Sequence, residues 1–229
     1  MYVDTPVTEA SLAGIECLVT LPSPARSQLV GQAKGRRYDA GAPILRCGES
    51  TRDVFFIASG VVRAMYLSNL GREVVFRDMP AGSMFGELSA LDGAVRSADV
   101  YALDETFVLV LEQPVFLALL SAQPSFARHV LERLTARVRE LSERVVEFST
   151  LNVDARVRME LLRLVRRDPA QPQRGSLEPM PTHQAIANRI GTHREAVTRA
   201  LSALARAGLV ERRGAALVIP DIERLRTLS

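Results

Sequence analysis

The chain has 229 residues and a mass of 25.1 kDa, with 47% hydrophobic and 24% charged residues, enough apolar side chain for one large or two modest soluble domains. No stretch reaches the ~18 apolar residues that a membrane helix needs, and Met1-Tyr-Val-Asp-Thr-Pro lacks the basic and apolar regions of a signal peptide. Two cysteines, Cys17 and Cys47, and three histidines cannot alone furnish a four-thiolate metal or iron–sulfur site. The expectation is a cytoplasmic chain in a reducing compartment, with no membrane partner.

The net charge of +3 conceals an asymmetry. Residues 1–150 hold 15 Lys and Arg against 18 Asp and Glu, whereas residues 151–229 hold 14 against 8, every one of those cations an arginine. The planar fork of arginine matches phosphate and guanine, so this basic third suggests nucleic acid as a partner.

In chain order, residues 30 to 115 read as many short strands. Val54-Phe-Phe-Ile, Val61-Val-Arg-Ala-Met-Tyr, Glu73-Val-Val-Phe and Thr106-Phe-Val-Leu-Val-Leu are β-branched or aromatic runs. They are punctuated by Gly41, Gly48, Gly60, Gly71, Gly82 and Gly86, with turns such as Ser68-Asn-Leu-Gly71. Spacing of this kind predicts an antiparallel sandwich or barrel.

Inside that region lies Phe85-Gly-Glu-Leu-Ser-Ala-Leu-Asp-Gly-Ala-Val-Arg96-Ser-Ala98. Gly86 lets backbone N–H groups converge on an anion. Arg96 offers phosphate a charge-assisted bond of ~1.5–3 kcal/mol, and Glu87 can accept from a sugar hydroxyl. An internal Glu87–Arg96 salt bridge satisfies the same spacing equally well.

After Pro124, Ala127, Leu131, Leu134, Val138, Leu141, Val145 and Phe148 recur at alternating intervals of four and three, flanked by Arg and Glu. The seam predicts a long helix paired in parallel with a second copy; the alternative is a helix lying on its own β domain. Asn152 can cap a further helix from Val153 to about Arg167, with Val157, Leu161, Leu164 and Val165 on its apolar face. Asp168-Pro169 stops it, and a Pro/Gln/Gly-rich loop runs to Pro181.

Thr182–Ile190 and Thr192 to about Ala207 then read as two helices joined at Gly191. Ala187 allows close crossing, while Val197 and Leu201 bury the inner face, a helix-turn-helix pattern. Arg194, Glu195, Thr198 and Arg199 point outward, with Thr182 and His193 beside them as DNA-contacting candidates. Arginine reads guanine and glutamate accepts from cytosine, each good pair discriminating by ~1–3 kcal/mol. Glu195 has a rival role in a Thr192–Glu195 capping box. Leu209 to Ile219 reads as a hairpin wing whose Arg212 and Arg213 would hold phosphate. The resulting class is α+β: a β domain with flanking helices over 1–122, a dimerisation helix over 123–150 and a winged helix-turn-helix over 151–229. No nucleophile–base pair, carboxylate cluster or metal spacing suggests an enzyme.

Together, Phe-Gly-Glu-Leu-(x)8-Arg-Ser-Ala, the glycine-punctuated strands, the heptad helix and the winged helix-turn-helix resemble the cyclic AMP receptor protein and FNR family of regulators, over about residues 30 to 220. The resemblance implies an antiparallel β-roll whose cassette binds a cyclic nucleotide. Glu87 would hold the ribose 2′-hydroxyl, and Arg96 the cyclic phosphate with the backbone of Gly86, Leu88 and Ser97. Ser142 matches a position that touches the base. Arg194, Glu195 and Arg199 match major-groove readers of a TGTGA-like half-site and its inverted partner. Homodimerisation along the seam and RNA polymerase as a partner are also implied. Leu141 replaces a base-contacting threonine of the prototype, and Ser97 suits a syn guanine, which leaves cyclic AMP and cyclic GMP both open. The iron–sulfur cysteines and haem-ligating histidine of other members have no counterpart. If Glu87 and Arg96 only pair with each other, DNA binding remains without nucleotide control.

Overall fold

Strand alternation divides the first half of the chain between two cores. The structure, a computed structural model, describes residues 2–68 and 73–227, so the turn expected to end at Gly71 lies outside the described residues. β1 (Tyr2–Thr5), a helical turn (Glu9–Leu12), α1 (Glu16–Val19) and α2 (Ser23–Gln32) come first. They lead into β2 (Lys34–Tyr38), β3 (Pro43–Leu45), β4 (Val54–Ser59), β5 (Val61–Leu67), β6 (Glu73–Pro80) and β7 (Met84–Phe85). α3 (Glu87–Asp92), β8 (Asp99–Ala102), β9 (Thr106–Leu111) and α4 (Gln113–Ala122) follow. The sheets are antiparallel, ordered β1-β2-β9-β4-β7 and β3-β8-β5-β6. Because successive strand residues face opposite ways, Val54, Phe56, Phe107, Leu109 and Leu111 enter a core shared with the helices. Phe55, Ile57, Val108 and Val110 enter the interior between the sheets. Both faces are covered, which explains why β4 and β9 are nearly continuous apolar runs. Burial of each such side chain contributes ~1.5–3 kcal/mol.

α5 (Pro124–Thr150) is one continuous helix. Its inner face is Phe126 and Val130, both buried, with Phe126 edge-on to Phe116 at 5.9 Å. Leu134 continues that face and packs against the helix-side core. At 3.6 residues per turn it follows Val130 by one turn, and it is only partly buried there. Leu131, Val138, Leu141, Val145 and Phe148 are between 43% and 64% exposed. The chain divides into two compact units, Met1–Arg137 and Val138–Ser229, with the division falling inside α5.

In the second unit, the Asn152 side chain accepts from Ala155 N at 2.9 Å and caps α6 (Val153–Leu164). α6 ends before Arg167 because Val165 turns extended and leads into β10 (Arg166–Arg167). β10 pairs with β11 (Gly175–Leu177), so part of the expected loop forms a hairpin. α7 (His183–Ile190), α8 (Arg194–Arg206), β12 (Glu211–Arg213), β13 (Ala216–Ile219) and α9 (Ile222–Thr227) complete the unit. Its sheet is ordered β10-β11-β13-β12. Val157, Leu161, Ile186, Val197 and Leu201 share one core. Among the described residues no helix is long and apolar enough to cross a membrane.

Candidate anion pocket and nucleic-acid interface

The cassette turns sharply between β7 and α3. Gly86 has φ +83°, and a Cβ there would meet Arg96 Nη1 and the Asp53 carbonyl, each at 2.9 Å. Only glycine fits both the backbone angle and the space. Arg96 is 2% exposed. Its Nε donates to Thr51 Oγ1 at 2.9 Å, Nη1 to the Gly86 carbonyl at 2.8 Å and Nη2 to the Asp53 carbonyl at 2.8 Å. Its backbone is clamped too, with N donating to Glu49 O at 2.9 Å and O accepting from Gly48 N at 2.8 Å.

These partners are all neutral. Among the described residues Arg96 makes no ion pair, and in particular none with Glu87. The internal salt bridge that the spacing allowed is therefore not formed. Burial pulls the Arg96 guanidinium below its usual value, opposed by the more distant charges of Asp53, Glu49 and Glu87. Burial also pushes the Glu87 carboxyl above the ordinary carboxylate value, opposed by its own backbone amide and by Arg77, Arg96 and Arg137.

Both side chains line one pocket that opens to solvent. Gly86, Leu88 and Ser97 also line it, and Leu45, Ala64 and Phe76 supply apolar wall. Among the lining residues that sequence reasoning missed are Arg77 on β6, and Leu134 and Arg137 on α5. Ser142 is not among the lining residues; it is exposed, and its Oγ donates to the Val138 carbonyl at 2.9 Å. Leu134 and Arg137 belong to the part of α5 that falls in the first unit, whereas Ser142 belongs to the second.

The second site is built by α7 and α8. Thr182 caps α7 by accepting from Ala185 N at 3.1 Å. Gly191 ends α7 in the left-handed region, φ +63°. α8 starts at Arg194 with His193 at its N-cap and no side-chain capping bond. The Thr192–Glu195 capping box is therefore not formed, because the helix starts one residue later than that box requires. Arg194, Glu195, Thr198 and Arg199 are exposed on one side of α8, opposite buried Val197, Ala200 and Leu201. His183, which sequence reasoning passed over, shares a 2.7 Å hydrogen bond with Thr198 and ties the two helices together. On the wing, Arg213 bonds Glu211 at 2.7 and 3.2 Å, while Arg212 is exposed on the strand's other face.

A buried cation beside a pocket and an arginine-bearing helix at a left-handed glycine turn are the features of a DNA-binding protein with a second, anion-binding domain. Residues 35–123 match the family model described as "Cyclic nucleotide-binding domain", and residues 155–228 that described as "Crp-like helix-turn-helix domain". The chain is 33% identical over 177 residues to the "Cyclic AMP receptor protein" of Thermus thermophilus, covering 76% of this chain and 78% of that one. It is 30% identical over 197 residues to the "cAMP-activated global transcriptional regulator Vfr" of Pseudomonas aeruginosa, covering 84% and 92%. A solved CooA mutant from Carboxydothermus hydrogenoformans shares the fold, with a TM-score of 0.75 at 19% identity over 99% of this chain and 96% of that one. The chain belongs to the cyclic AMP receptor protein and FNR family, a family of DNA-binding transcription regulators rather than enzymes.

Proposed function

We propose that the chain is a cytoplasmic, homodimeric transcription regulator whose DNA binding is gated by cyclic AMP or cyclic GMP held in the β domain of each protomer. The observation that carries this reading is Arg96: a buried cation with neutral partners, beside a pocket and without a carboxylate within ion-pair distance. Burying a charge is costly unless it is paired, and a cyclic phosphate supplies the missing anion. Glu87 accepts from the ribose 2′-hydroxyl, with the backbone of Gly86, Leu88 and Ser97 around the phosphate. Ser142, exposed on α5, touches the base from one or both protomers.

The uncovered stripe of Leu131, Val138, Leu141, Val145 and Phe148 supports pairing of α5 with its copy. Such pairing sets the two recognition helices about 34 Å apart, one duplex turn. Arg194, Glu195 and Arg199 then read a TGTGA-like half-site and its inverted partner. Thr182, His193, Thr198, Arg212 and Arg213 contact backbone and flanks, and RNA polymerase is the protein partner. Moving such a switch from mostly off to mostly on takes ~5.5 kcal/mol of preference for the active state, which two nucleotides per dimer supply jointly. The test is a DNA-binding titration with and without each nucleotide. At least tenfold tighter binding in the presence of one of them is expected, and identical curves would remove nucleotide control.

A further inference from the structure

The break between α5 and α6, at Leu151 and Asn152, is bridged by a buried ionic cluster. Glu160 of α6 is 1% exposed. Its carboxylate faces Arg163 at 3.4 Å, Arg189 of α7 at 3.5 Å and Arg144 of α5 at 4.0 Å. Arg163 also pairs with Glu147 of α5. The end of α7 is tied to the same place. The carbonyls of Arg189 and Ile190, beyond the reach of helical amides, accept from Arg144 at 3.5 Å and Arg156 at 3.0 Å. Arg156 lies 5.2 Å over the Phe148 ring, and that ring would stand 3.0 Å from a Cβ on Gly191. The last turns of α5 thus abut the glycine turn that aims α8.

Plain attachment does not account for this chemistry. Apolar residues of similar volume commonly hold two helices as well as a buried ion cluster does, or better. The cluster is also under-bonded. Glu160 Oε1 and the Nε atoms of Arg144 and Arg156 are buried without a hydrogen-bond partner, and the Glu160 contacts exceed the ~2.8 Å of a direct charge-assisted bond. A partly satisfied buried network admits another arrangement in which more bonds close, the property of a two-state joint.

We infer that Glu160, with Arg144 and Arg189, is a positioning latch that fixes the helix-turn-helix to the end of α5. A movement of α5 then reaches α8 instead of being absorbed at the 151–152 break. The inference rests on the dimeric reading above, because only a paired protein needs its two recognition helices at a set separation.

The test compares full-length chains on two duplexes selected from random DNA with the wild-type chain, one carrying two inverted half-sites and one carrying a single half-site. A purely structural defect lowers the folded fraction and weakens both complexes alike; a mis-set joint weakens only the two-site complex. Glu160→Gln is expected to cut the preference for the two-site duplex at least tenfold while the single-site affinity stays within about twofold. Arg144→Gln, which touches the cluster from its less buried side, is expected to do the same and serves where Glu160→Gln fails to fold. A folded variant of either kind that keeps the wild-type preference overturns the latch. A wild-type chain with no such preference overturns the dimeric reading and the latch with it.

Discussion

Arg96 and Glu87 line the same pocket without an ion pair between them: the guanidinium spends its bonds on the Gly86 and Asp53 carbonyls and on Thr51. Three fixed acceptors hold the cation in place before any ligand arrives, so little ordering remains to be done on binding. The carboxylate stays available for a second, different contact.

Arg96→Lys keeps the charge but loses the fork. Nucleotide affinity is expected to fall on the order of tenfold to a hundredfold, by the loss of one charge-assisted bond of ~1.5–3 kcal/mol. A second consequence is lower stability, because the lysine leaves at least one of the buried carbonyls without a donor, at ~1–3 kcal/mol. Calorimetric titration and thermal melting read the two effects separately.

Glu87 has a raised pKa caused first by burial, so the folded chain holds that proton more tightly than the unfolded one. Its contribution to stability is therefore intact below the ordinary carboxylate value and declines as pH rises through that value to the raised one. Glu87→Gln removes the ionisation. The unliganded variant is expected to melt above the wild type at about pH 8 and level with it at about pH 4. In the same variant, nucleotide affinity at neutral pH should drop about tenfold or more with the loss of the charged acceptor. Melting curves at the two pH values and a titration check both.

A carboxylate in the α5 stripe tests pairing. Val138→Asp or Leu141→Asp places a charge where two copies would exclude water. Sedimentation is expected to find a monomer under conditions where the wild type is a dimer, with the monomer's secondary structure retained. A wild-type chain that sediments as a monomer contradicts the pairing outright.

The DNA face separates into base and phosphate contacts. Arg199→Ala is expected to cost ~1–3 kcal/mol and to relax one base position. Arg212→Ala should weaken all sequences alike and reduce the salt slope by about one counterion. Selection from random duplexes and salt titrations distinguish the two patterns.

Much of this architecture was legible because its signals are periodic. β4 and β9 announce themselves as apolar runs, and Gly86, Glu87 and Arg96 form a spaced motif within eleven residues of sequence. The pocket wall from α5 was not legible: Leu134 fits the heptad by spacing, and only its packing against the helix-side core shows that it belongs to the inner face. The Glu160 cluster was hidden for the opposite reason. Arg and Glu on an amphipathic helix read as a solvated face, and their burial comes from α5, α6 and α7 meeting in space. The β10–β11 hairpin has a two-residue exposed strand, Arg166–Arg167, too short for any alternation to register. The Thr192–Glu195 box was a valid local pattern that lost to a start at Arg194.

The most direct measurement is calorimetric titration of cyclic AMP and of cyclic GMP into the full-length chain and into Arg96→Leu. Saturable heat from at least one nucleotide, at one site per chain and absent in the variant, is the expected result. No heat and no thermal stabilisation with either nucleotide, or equal binding by the folded variant, would contradict the assignment of the Arg96 pocket.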